Sequence, residues 1–85
     1  MGGKQPPETV EIADARDSEA REYFHARAFP REKPEFLTRQ QWGMLVAHVR
    51  DGMSYDATGE HFESTGDAAR RIIVYALRRF RDQEG

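Results

Sequence analysis

Large apolar residues are unevenly spread along this chain. Ile, Leu, Val and Phe number 15, with five in residues 1–36 and ten in residues 37–85. The first sixteen residues carry Pro6, Pro7 and scattered charge but few large apolars. They read as a flexible N-terminal arm. From residue 17 the pattern turns helical. Asp17 or Ser18 is placed to cap a helix over 17–29, with Glu19 in its first turn and Ala20, Phe24 and Tyr23 towards one face. Pro30 and Pro34 then stop it.

The segment after Leu37 has a clearer start. Thr38 with Gln41 forms a capping box, and Leu37 is placed to staple onto Trp42. Trp42, Leu45, Val46 and Val49 recur at helical spacing, and Asp51-Gly52 supplies an end that accepts positive φ. Ser54 caps a short helix over 55–62. Gly59 within it costs about 1 kcal/mol relative to Ala, unless a neighbouring helix packs closely there. Ser64 with Asp67 reads as a second capping box, with Gly66 in the entering turn. The last helix runs to about Asp82. Ala69, Ile73, Ala76, Leu77 and Phe80 share one face, and Arg71, Val74, Arg78 and Arg81 the other.

These elements predict an all-α fold. A three-helix helix-turn-helix unit at 38–82 is joined by an additional short N-terminal helix, making one domain over 17–85. The length of 85 residues allows one core and no second domain. The unit from 37 onwards is small enough that packing by residues 17–36, or a homodimer, is expected to complete it.

Composition narrows the function. There is no cysteine, so neither a disulfide framework nor a thiolate metal site arises. No apolar run is long enough to span a bilayer and no signal-peptide core is visible, so no membrane association and a cytoplasmic location are expected. His25, His48 and His61 have no i, i+4 partner among themselves, and neither a metal nor a cofactor is expected. Without a nucleophile–base spacing, a paired-carboxylate motif or a phosphate-cradling glycine loop, the chain is read as a non-enzyme.

The net charge of -2 hides a division. Residues 1–63 hold eight basic and twelve acidic side chains, net -4, whereas residues 64–85 hold five and three, net +2. A basic helix therefore rides on an acidic body. Taken blandly, its arginines are a solvated face that complements the helix dipole.

One resemblance is carried by particular residues. Leu37-Thr38, then Gly52-Met53-Ser54-Tyr55, then Tyr75-Ala76-Leu77-Arg78-Arg79-Phe80-Arg81 match in order and without a gap. This arrangement resembles DNA-binding region four of bacterial sigma factors, especially the extracytoplasmic-function type, over residues 37–81. The chain departs from that pattern at Thr58 and Gly59, where the family has Ile then Ala. It departs again at Glu63-Ser64-Thr65, where the family has Gly-Ile-Ser, and at Ala68, Ile72 and Tyr75. Asp67 adds a negative charge at the last helix's start.

The resemblance implies a small bacterial or phage transcription regulator that binds double-stranded DNA with its third helix in the major groove. Arg70, Arg71 and Val74 would read bases, while Arg78 and Arg81 would clamp phosphates. The alternative is a protein-interaction module of the same fold. It would bind RNA polymerase, a sigma factor or another regulator through Val74, Tyr75 and the arginines. Val74 and Tyr75 packing against the helix at 18–29 is the plain structural alternative for those two residues.

Overall fold

The computed structural model describes residues 18–84 and is all-α, with no strand among the described residues. Helix α1 spans Glu19–His25. Helix α2 spans Arg39–Leu45 and continues through a π-helical turn, Val46–Arg50. Helix α3 spans Tyr55–His61, and α4 spans Gly66–Glu84. The arm at 1–16 and the cap alternative at Asp17 lie outside the described residues.

The local start and stop signals act much as their chemistry dictates. Ser18 Oγ accepts from the Arg21 amide at 3.1 Å and caps α1. At α2, the Gln41 amide donates to Thr38 Oγ1 at 3.1 Å and the Thr38 amide donates to Gln41 Oε1 at 2.9 Å, completing the capping box. Ser54 caps α3 by accepting from the Ala57 amide at 3.0 Å. Gly52 takes φ 77°, the left-handed conformation that ends the α2 segment at no steric cost.

Four expectations are corrected. First, α1 stops at His25, well before Pro30, with Ala26 in a non-helical C-cap conformation. The chain after it is drawn into aromatic packing instead. Phe29 lies edge-on to Phe24 at 4.9 Å and stacks on Trp42 at 5.4 Å, and Phe36 meets Phe80 edge-on at 5.0 Å.

Second, the α2 segment does not keep one α-helical face. The Asp51 amide donates to the Val46 carbonyl at 3.0 Å, an i+5 bond. One extra residue in the turn rotates the later side chains by about 100° around the helix axis. Ala47 and His48 are buried, while Trp42, Val46 and Val49 are half-buried.

Third, α4 is capped by Thr65 and not by Ser64. Thr65 Oγ1 accepts from the Ala68 amide at 3.1 Å. The Ser64 amide is held instead in the turn, donating to the Gly59 carbonyl at 2.6 Å.

Fourth, α4 continues past Asp82 to Glu84, because α1 grips its end. The Tyr23 hydroxyl donates to Glu84 Oε2, Arg27 Nε donates to the same oxygen at 3.0 Å, and the Arg27 guanidinium sits 3.9 Å from the Tyr23 ring centroid.

The core is formed by Ala20, Tyr23, Phe24, Leu37, Met44, Leu45, Ala69, Ile73, Ala76 and Leu77, with Phe29, Phe36, Trp42 and Phe80 packed around it. The α3–α4 turn is tight and contains Glu63 at φ 57°, a left-handed residue that is not glycine. Such a conformation costs an ordinary side chain about 1–2 kcal/mol. Glu63→Gly is therefore expected to raise stability by about 0.5–1 kcal/mol, the added chain entropy of glycine offsetting part of the relief. Urea unfolding of the two proteins checks this.

The α1–α4 clasp predicts a pH dependence. The Tyr23 hydroxyl bond, with help from Arg27 and Arg81 against the cost of burial, holds the Glu84 carboxyl below its usual value. A depressed carboxyl means that the unfolded chain binds more protons. The stability it contributes is present above the ordinary carboxylate range, about 4.3. It is lost as pH falls through the lower folded value. Burial, and then the bond to and charge of Glu84, push the Tyr23 hydroxyl up. That contribution is present below about pH 10 and is lost as pH rises through the raised value. Glu84→Gln is expected to flatten the acid limb of a stability-versus-pH curve, measured by thermal melts.

Candidate nucleic-acid interface

Helix α4 divides cleanly into two faces. Ala69, Ile73, Ala76 and Leu77 are buried, as their helical spacing requires. Arg70, Arg71, Tyr75 and Arg78 are exposed, and Val74 between them is half-buried. These five residues line one shallow concavity of about 380 Å³. It contains no carboxylate, and neither Arg70, Arg71 nor Arg78 forms an ion pair with another described residue. Arg79 is half-buried and its Nη1 donates to the Tyr75 hydroxyl at 3.5 Å.

Arg81 stands apart. Its guanidinium lies 5.8 Å from the Tyr23 ring centroid. With Glu19, Glu22, Arg27 and Glu84 it lines a separate concavity of mixed charge. Of the five residues predicted to meet DNA, four are brought together and Arg81 stands at the α1 end, in the concavity that Glu19, Glu22 and Glu84 also line. Tyr75 does not pack into the core beside α1. It is 47% exposed, and α1 meets α4 further along, through Phe80, Arg81 and Glu84.

The approach of α3 to α4 sets where this face begins. A Cβ at Gly59 would collide with the Thr65 carbonyl and lie 2.8 Å from the Gly66 nitrogen. The helix-weakening glycine is thus the residue that lets the α4 N-terminus sit against α3. Thr58 beside it is fully buried, and its hydroxyl has no hydrogen-bond partner among the described residues. Around this corner Asp56, Glu60, Glu63 and Asp67 are all exposed. The α4 tip is therefore acidic, and the cationic stretch starts a turn later, at Arg70.

Two residues near the face escaped the sequence reading. Tyr55, the first residue of α3, has the Arg70 guanidinium 5.7 Å from its ring centroid. His48 stacks on Tyr55 at 4.2 Å with an interplanar angle of 16°. Tyr55 belongs to the Gly52-to-Tyr55 motif, which was the available signal for it. His48 carried none, because the expected inner face ran through Trp42, Val46 and Val49, whereas the buried one runs through Met44 and Leu45, which His48 follows at i+4 and i+3. His25 and His61 are exposed, and no group of metal-ligating side chains forms among the described residues. No helix among these residues is long and apolar enough to cross a membrane. No known protein family, curated protein or solved structure matches this chain.

Proposed function

We propose that this protein is a small DNA-binding transcription regulator of the helix-turn-helix type, similar in design to sigma factor region four, with α4 as the helix that enters the major groove. The observation that carries this reading is the set of guanidinium groups without an ion-pair partner among the described residues, Arg70, Arg71 and Arg78, around Val74 on one exposed stretch of α4. Guanidinium forks suit guanine edges and phosphates, and a branched apolar side chain suits a thymine methyl. Arg81 contributes less, because it stands apart from this stretch, in the mixed-charge concavity with Glu19, Glu22 and Glu84.

The test is duplex binding across a salt titration. Arg70→Ala with Arg71→Ala is expected to weaken binding at least about ten-fold. It should also make the salt dependence shallower by up to about two, if both groups meet phosphates. Arg81→Ala should change affinity by much less. The reading is overturned if every duplex binds more weakly than about 100 µM at physiological salt, below ordinary non-specific affinity. An unchanged double variant overturns it too.

A second reading is favoured by one observation, the exposed Tyr75 ring beside Val74, with the acidic side chains at the α4 tip opposing a phosphate backbone. In it the same face binds RNA polymerase, a sigma factor or another regulator. Tyr75→Ala would then reduce capture of the protein partner more than the arginine variants do. Capture would also survive nuclease treatment.

A further inference from the structure

Arg70 is the cation nearest the α4 tip, and its long side chain has no carboxylate to hold it among the described residues. An unheld arginine samples many rotamers and loses that freedom on binding. The Tyr55 ring lies beside it, with the centroid 5.7 Å from the guanidinium carbon and within the range of a cation–π contact.

That ring is itself fixed. Ser54 caps α3, which places Tyr55 at the first helical position. The ring stacks nearly parallel on the His48 imidazole. His48 is fully buried and engaged at both nitrogens: Nδ1 donates to the Met53 carbonyl at 2.8 Å, and Nε2 pairs with Ser18 Oγ at 2.8 Å. A carbonyl only accepts, so Nδ1 carries a proton. Arg21 of α1 closes the arrangement, with Nε donating to the His48 carbonyl at 3.1 Å and Nη2 to the Met53 carbonyl at 2.8 Å. A continuous column therefore runs from the α1 cap, Ser18, through His48 and Tyr55 to Arg70.

We propose that Tyr55 is a positioning residue for Arg70, its ring held in place by His48, so that α1 docking orders the leading arginine of the α4 face. The consequence for DNA affinity rests on the regulator reading above. The positioning itself does not. Tyr55 acts through Arg70, with the ring as a platform, so an aromatic replacement keeps the effect and an aliphatic one removes it.

The experiment has two arms. In the first, NMR of the full chain follows the Arg70 side-chain protons, with the arginine shifts of the urea-unfolded chain as reference. Arg70 is expected to be displaced by the ring current in the wild type and in Tyr55→Phe, and to lose that displacement in Tyr55→Leu. A wild-type Arg70 with the shifts of an unfolded arginine overturns the proposal, and this measurement needs no destabilised variant. In the second arm, duplex binding is measured for Tyr55→Leu and Tyr55→Phe, alone and combined with Arg70→Ala. Tyr55→Leu is expected to weaken binding about two- to five-fold, with Tyr55→Phe unchanged and no further loss in the Arg70→Ala background. An equal loss in that background overturns the proposal, because Tyr55 would then act independently of Arg70. If no variant binds DNA while the Arg70 ring-current shift is present, the regulator reading fails and the positioning role stands.

Discussion

Gly59→Ala is expected to destabilise this fold by about 3 kcal/mol, at the upper end of the usual cost of overpacking. Ordinarily the same change inside a helix gains about 1 kcal/mol, because alanine is the better helix former. The sign is reversed by the surroundings of the site. The new Cβ would meet backbone, the Thr65 carbonyl and the Gly66 nitrogen, and not the yielding end of a side chain. That backbone cannot withdraw cheaply. The Ser64 amide is bonded to the Gly59 carbonyl at 2.6 Å, and the next residues start α4. Relief requires opening the α3–α4 turn, which uncovers the buried side of the α4 N-terminus, including Ala69. An 85-residue protein has roughly 4–13 kcal/mol of stability in total, so the loss is a large share of it. Urea unfolding followed by circular dichroism measures it. A variant as stable as the wild type, or more so, would mean that the turn opens without cost and that the close approach is not what holds the α4 tip.

Leu77→Ala is expected to cost about 3–4 kcal/mol, through lost transfer energy and the cavity left behind. Leu77 is fully buried, on the face of α4 shared with Ile73 and Ala76. Tyr75, two residues earlier, is largely exposed, and Tyr75→Ala should change stability by no more than about 0.5 kcal/mol. The pair separates folding from binding on one helix. Leu77→Ala should lower the unfolding midpoint, whereas Tyr75→Ala should leave it in place and alter only what the exposed face captures. Equal effects of the two on stability would mean that the faces of α4 are assigned wrongly, and the candidate interface with them.

Most of the helices were legible in the chain because their signals are short-range. Thr38 with Gln41, Ser54 before α3, and Gly52 after the π turn each act on neighbours within a few residues. The periodicity of Ala69, Ile73, Ala76 and Leu77 identified the inner face of α4, and with it the outer one. The clustering of Arg70, Arg71, Val74, Tyr75 and Arg78 is then a matter of helical geometry alone. The misreadings have the opposite character. Val46 and Val49 fit a helical period that the i+5 bond interrupts. Ser64 had the composition of a cap, but the Gly59 carbonyl claims its amide. Arg81 shares the angular position of the other arginines but stands beside Tyr23 and Glu84 of the α1–α4 junction, which no spacing rule connects.

Residue order alone therefore accounts for an all-α chain, the approximate helix limits and the basic outer face of α4, since caps and helical repeats depend on neighbours along the chain. Tertiary packing decided the rest. The α1–α4 clasp at Glu84, the pairing of His48 with Ser18, and the fit of the α3–α4 turn over Gly59 join groups far apart in sequence or crowd backbone against backbone. Their energies depend on distances that exist only once the helices have met.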